Sequence, residues 1–168
     1  MGYPKIPRKL SANFGIIGTG KEKSMKQWIL DASVGAKWIF EEEMSDKAGW
    51  FLEQIHQKEI EGIVPEFFFS EISNVCWVKV RKNIASIDYA MDALDKIFSL
   101  PLLACSDKEL SDVALENALR FKISAYDGLY LALAEVYVAP LVTADETLFN
   151  VCHKRFEFIE FLGDIKKP

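Results

Sequence analysis

Four carboxylates are placed where they could do chemistry. Asp31 directly follows the apolar run Trp28-Ile29-Leu30. Glu71 sits in a helical stretch between the apolar neighbours Phe69 and Ile72, with Glu66 one turn earlier as its rival. Asp127 precedes Gly128-Leu129-Tyr130-Leu131-Ala132-Leu133-Ala134, and Asp145 follows Leu141-Val142-Thr143-Ala144. Carboxylates brought together repel, so their pKa values rise unless a counter-ion intervenes. Mg²⁺ and Mn²⁺ are suited to that place because both prefer oxygen ligands. Each acid also has an ordinary explanation. Asp31 and Asp145 suit helix N-caps. Ser124-Ala125-Tyr126-Asp127 has the spacing of a capping box, and an isolated Glu71 suits a solvated helix position. Taken singly, these alternatives stay open.

The elements that would position the acids alternate along the chain. Strands are expected at Trp28–Leu30, Gly62–Val64, Leu102–Ala104, Leu141–Thr143 and Phe156–Phe161. Helices are expected at Val34–Glu43, Lys47–Lys58, Glu66–Lys82, Ile87–Phe98, Leu110–Arg120, Ala125–Val136 and Asp145–Cys152. In the first of these helices Val34, Trp38 and Phe40 should face inward. Short apolar strands separated by helices imply an α/β domain with a central parallel sheet flanked by helices. In such sheets ligands gather at the carboxyl ends of strands. Asp31 and Asp145 follow such ends, and Asp127 opens a helix that is apolar on nearly all sides.

Residues 1–24 read as a separate N-terminal extension, flexible or non-native, with the folded domain at 25–168. They contain Pro4, Pro7, four glycines and no useful period. Their run Gly15–Lys21 fits the G-x-x-x-x-G-K part of a phosphate loop. Glu22 stands where Ser or Thr should follow, and the strand–loop–helix setting is missing, so the match is a decoy.

The chain has 168 residues and a net charge of −5, half of it apolar. Five basic residues (Lys5, Arg8, Lys9, Lys21, Lys23) against Glu22 give residues 1–24 a net +4, leaving −9 on the rest. An acidic body does not bind nucleic acid through a broad basic surface. It could do so through metal ions, which reverse the local sign. No apolar run reaches the roughly 18–20 residues of a membrane span. The three cysteines, Cys76, Cys105 and Cys152, read as reduced thiols of a cytoplasmic protein. His56 and His153 have no metal-ligand spacing between them, and no Cys-x-x-Cys occurs, which argues against zinc or thiol chemistry.

Four short segments, taken in order, discriminate further: Ile29-Leu30-Asp31-Ala32-Ser33-Val34, Ser70-Glu71-Ile72-Ser73-Asn74, Ala125–Ala134 with Asp127, and Leu141-Val142-Thr143-Ala144-Asp145-Glu146-Thr147-Leu148-Phe149. As a set they resemble the PIN domain, and more closely its VapC toxin branch, over about Met25 to Phe161. Ser33 and Gly128 occupy positions at which such proteins vary. The resemblance implies a three-layer PIN-like fold and a Mg²⁺- or Mn²⁺-dependent endoribonuclease, the toxin of a toxin–antitoxin pair. It further implies inhibition by a cognate antitoxin and a homodimer.

On that reading Asp31, Asp127 and Asp145 are the main metal ligands, directly or through water. Glu71 holds a second metal or positions the attacking water, and Ser33 and Thr143 orient carboxylates through their hydroxyls. Lys79, Arg81 and Lys82, together with Lys154 and Arg155, are candidate contacts to the RNA backbone. Part of Phe67-Phe68-Phe69, with Trp50 and Phe51, is expected to form an antitoxin or self-association surface, core packing being the alternative. Two other functions fit the same residues. One is a PIN-type nuclease of RNA processing or DNA repair that has no antitoxin. The other is a non-catalytic scaffold.

Overall fold

A computed structural model describes residues 25–166. The extension at 1–24 and its phosphate-loop decoy lie outside the described residues. Five parallel strands run in the order β3-β2-β1-β4-β5: β1 (Lys26–Leu30), β2 (Ile60–Pro65), β3 (Leu103–Cys105), β4 (Leu141–Thr143) and β5 (Ile159–Phe161). Because β1 is central, Trp28, Ile29 and Leu30 are all buried, as expected of a parallel strand covered on both faces.

The helices are α1 (Ala32–Ile39), α2 (Ser45–His56), α3 (Phe67–Arg81), α4 (Ile87–Phe98), α5 (Asp107–Phe121), α6 (Ala125–Tyr137) and α7 (Glu146–Cys152). Parallel strands require crossovers, which are right-handed almost without exception. The chain therefore steps from β1 to β2 to β3 with α1–α4 on one face. It returns past β1 to β4 with α5 and α6 on the other. Packing follows this division: α1 meets α2 and α3, α3 meets α4, and α5 meets α6, which lies on β1 and β2. The result is the three-layer α/β architecture expected from the alternation of elements. In α6 every residue from Gly128 to Ala134 is buried. Gly128 is required there, because a Cβ would stand 2.3 Å from the Ala114 carbonyl oxygen of α5.

Several local expectations are corrected. Helix α1 stops at Ile39 instead of running to Glu43. Phe40 turns extended (φ −115°, ψ 126°) and is buried, while Glu41, Glu42 and Glu43 are exposed beyond it. Three acids in a last helical turn would oppose the helix dipole. Strand β3 is buried only at Cys105: it is a sheet edge, with Leu103 and Ala104 exposed. Strand β5 begins only at Ile159. Phe156 leaves the sheet to pack edge-on against Phe121, ring centroids 5.8 Å apart.

Of the aromatic run Phe67-Phe68-Phe69, Phe67 and Phe69 stay partly exposed and Phe68 does not. On a helix three successive residues point in three directions. Phe68 enters the core, as does Phe51. Phe69 packs against Phe98 of α4, and Trp50 leans edge-on against Phe51. Cys76, Cys105 and Cys152 are buried free thiols. Among the described residues no helix is long and apolar enough to cross a membrane.

Candidate active site

Strands β1 and β4 are neighbours with Leu30 opposite Val142. The next residues of each, Asp31 and Thr143, are therefore set side by side at the carboxyl end of the sheet. This is where the chain changes direction across the sheet, the position at which open α/β sheets form a crevice. Asp31 is 7% exposed and occupies the N-cap position of α1, yet its side chain makes no capping bond. Its Oδ2 instead accepts two hydroxyls, Ser33 Oγ at 2.5 Å and Thr143 Oγ1 at 2.6 Å. Those hydroxyls accept in turn from the Ala144 N–H (2.9 Å) and the Asp145 N–H (3.0 Å). Ser33 and Thr143 thus tie the loop after β4 to the carboxylate after β1.

The other three acids reach the same place from different elements. Asp145 caps α7 by accepting the Thr147 and Leu148 N–H groups on Oδ1, at 2.7 and 3.1 Å. Asp127 forms the capping box of α6 with Ser124: its N–H donates to Ser124 Oγ, and its Oδ2 accepts the Ser124 hydroxyl at 2.8 Å. Glu71 is half-buried on α3, and its Oε2 accepts the Tyr130 hydroxyl at 2.5 Å. Asp107 caps the start of α3 by accepting the Phe67 N–H at 3.1 Å.

All four carboxylates share one further property. Each gives one oxygen to the fold and leaves the other without a hydrogen bond among the described residues: Asp31 Oδ1, Glu71 Oε1, Asp127 Oδ1 and Asp145 Oδ2. Capping and a second role are therefore compatible, because a carboxylate has two oxygens and acceptor capacity on both.

The four acids line one cleft of about 530 Å³, along with Ala32, Ser33, Phe67, Ser70, Asn74, Val75, Ser124 and Tyr126. No Lys, Arg or His is among these lining residues. The electrostatics are correspondingly strained. Burial raises the Asp31 pKa, its two hydroxyl partners lower it, and the charges of Asp127 and Asp145 raise it again. Burial likewise pushes Glu71 up to about 7, against the Tyr130 hydroxyl, with Asp31 and Asp127 adding to the rise.

A divalent cation would relieve that repulsion, and a set of carboxylate oxygens is the donor chemistry that Mg²⁺ and Mn²⁺ take. The unbonded oxygens fit such an ion in kind. Among the described residues no three of the acids stand close enough to share one ion as they lie. An ion with two carboxylates and several retained waters, the common habit of Mg²⁺, needs no such convergence.

The basic candidates lie apart. Lys79, Arg81 and Lys82 follow Glu71 by 8 to 11 residues, which is about 12–17 Å along a helix. Lys79 is paired with Glu42 and sits over the Phe40 ring, and Arg81 lies 4.6 Å over Trp77. Arg155 donates to the Arg120 carbonyl. None of these, nor Lys154 or Glu66, lines the cleft. A separate groove of about 320 Å³, lined by Trp38, Leu52, Tyr89 and Leu100 among others, is also remote from the acids.

Residues that sequence reasoning missed include Tyr130 and Asp107, which position Glu71 and its helix, and Phe67 and Tyr126 on the cleft wall. Tyr130 carried a signal: a tyrosine in an all-apolar helix must find a partner for its hydroxyl when buried.

Comparison with known proteins bears on the fold and the family. A family model, PIN domain, matches residues 28–154. Among solved structures the chain is similar to PAE2754 from Pyrobaculum aerophilum, at 23% identity and a TM-score of 0.57, covering 75% of this chain and 79% of that one. It is also similar to VapBC2 from Rickettsia felis bound to a DNA fragment from its promoter. There the identity is 15% and the TM-score 0.55, over 80% of this chain and 98% of the other. These likenesses concern the fold. A search of curated proteins finds no match. With the family model covering most of the chain, and with three strand-end and helix-start acids and one helical glutamate on a single cleft, the chain belongs to the PIN domain family, whose members are generally nucleases.

Proposed function

We propose that the protein is a Mg²⁺- or Mn²⁺-dependent endoribonuclease and the toxin of a toxin–antitoxin pair. The observation that carries the catalytic part is the set of four carboxylate oxygens on one cleft that, among the described residues, have no hydrogen bond and no cation beside them in the lining. The fold likeness to a VapBC complex supports the antitoxin. A homodimer is part of the same proposal.

In this reading Asp31, Asp127 and Asp145 hold the metal, directly or through water. Ser33 and Thr143 fix the Asp31 carboxylate by occupying Oδ2, which leaves Oδ1 as its ligating atom. When bound, the metal lowers the pKa of water and offsets charge on the scissile phosphate. Glu71 Oε1 orients the attacking water and accepts its proton. A carboxylate pushed up to about 7 suits that task at neutral pH. Water attacks phosphorus and gives its proton to Glu71, the P–O3′ bond breaks, the departing O3′ takes a proton from solvent, and the products carry a 3′-hydroxyl and a 5′-phosphate.

The test is cleavage of a panel of RNAs with Mg²⁺, with Mn²⁺ and with EDTA, comparing the wild type with Asp31→Asn and Asp127→Asn. Metal-dependent cleavage, lost in both variants, is expected. Unchanged cleavage in both would remove the site, and 2′,3′-cyclic phosphate ends would remove the mechanism. The antitoxin part is tested by co-expression with the product of the adjacent upstream gene. A stable complex that suppresses cleavage supports it, and unsuppressed cleavage in the presence of that product argues against it.

A further inference from the structure

The acid cleft has an aromatic wall that the metal chemistry does not use. Phe67 opens α3 and Tyr126 lies in the first turn of α6. Their rings are stacked, 4.5 Å between centroids and 13° between planes, and both line the cleft. Phe67 is half-buried and backs one face of Tyr126. Tyr126 itself is 58% exposed. The pair is also adjacent to the chemistry. Tyr126 precedes Asp127 directly, and Phe67 is one helical turn before Glu71, so Phe67, Ser70, Glu71 and Asn74 share one face of α3 toward the cleft.

The charge of the cleft gives this wall a task. Among the described residues the lining has no Lys, Arg or His, so none of its side chains offers a cation to the phosphates of a strand lying there. Lys79, which lies beyond the cleft on α3, is already paired with Glu42. Holding a strand in the cleft then falls to metal ions and to contacts with the bases. Bases stack on exposed aromatic rings without regard to sequence, provided that they are unpaired.

Resting on the nuclease reading above, we propose that Tyr126, backed by Phe67, is a stacking platform for one unpaired base next to the scissile phosphate. Tyr126 is on this view a positioning residue that acts through its ring and not its hydroxyl.

The experiment uses the full chain and short single-stranded RNAs carrying 2-aminopurine at successive positions. Binding is followed by fluorescence in EDTA, and cleavage in Mn²⁺. Quenching at one position is expected in the wild type. Tyr126→Phe and Tyr126→Trp should bind within about twofold of the wild type. Tyr126→Leu and Tyr126→Ala should bind on the order of 5- to 150-fold more weakly, with the loss in cleavage appearing in KM more than in kcat. A dependence on aromaticity is not what a structural role would give, because Leu fills the same position. The proposal is overturned if the Leu variant binds and cleaves like the wild type, or if duplex RNA competes as well as the single strand. Quenching without cleavage would retain the platform and remove the nuclease. Cleavage without quenching would do the reverse, and absence of both would remove the two together.

Discussion

The hydroxyl of Tyr130, buried in α6, donates to Glu71 Oε2 on α3 at 2.5 Å. This bond joins the two sides of the cleft, because α3 and α6 belong to opposite layers. It also opposes the rise in the Glu71 pKa that burial causes. Tyr130→Phe keeps the ring and removes the donor. The expected result is a loss of about 1.5–3 kcal/mol of stability, the usual range for a hydrogen bond to a charged group, together with a further rise in the Glu71 pKa. Urea unfolding at pH 8 and the pH–rate profile check the two parts separately.

Metal binding should take a proton off Glu71. With that group at about 7, affinity for Mn²⁺ should climb as pH rises through 7, and Glu71→Gln should flatten the climb. Folding in the absence of metal should show the opposite dependence. The folded carboxyl holds its proton up to about 7 whereas the unfolded one releases it near the ordinary value of 4.5. Between these values the folded state binds more protons, so metal-free stability falls as pH rises. Glu71 is partly exposed, and solvent screening keeps the effect to about 1 kcal/mol. Chemical unfolding at pH 5 and pH 8 in EDTA, with and without Glu71→Gln, reads it. A metal-free stability that increases over this range would contradict the assigned environment.

The two oxygens of Asp145 can be separated by mutation. Asp145→Asn keeps an oxygen to accept the Thr147 and Leu148 N–H groups and should remain within about 0.5 kcal/mol of the wild type. Asp145→Ala should lose about 1 kcal/mol with the cap. Cleavage should fall in both by a comparable factor, on the order of 100-fold. If the Asp145→Asn variant retained full activity, the residue would be a cap and nothing more. Thermal melts beside an RNA cleavage assay decide it.

Gly128 should not tolerate a side chain. The Cβ of Gly128→Ala would meet the Ala114 carbonyl oxygen at 2.3 Å, a backbone atom with no rotamer to yield. Overpacking of this kind costs about 1–3 kcal/mol, even though Ala is the better helix former. A lower urea midpoint with an unchanged slope would show it. A variant as stable as the wild type would mean that α5 and α6 pack less closely than described.

Much of the fold was legible because it depends on local pattern. The run Leu141-Val142-Thr143, Pro65 at the end of its strand and the amphipathic stretch Ile87–Phe98 each announce an element through composition and period. The extent of β3 burial and the end of α1 were not legible, since a strand's place at a sheet edge and the burial of Phe40 depend on what packs beside them.

The four acids divide in the same way. The sequence by itself determined their order, their attachment to strand ends and helix starts, and thereby the family. For each it left a cap or a solvated position as an equal alternative, because capping is a local interaction that sequence spacing can display. Only the tertiary structure decided that Asp31 does not cap with its side chain, that Asp127 and Asp145 cap with one oxygen each, and that Glu71 is held by Tyr130. That partner is 59 residues away in the chain. The distribution of a carboxylate's two oxygens depends on neighbours brought by other elements, and no spacing along one chain segment records them.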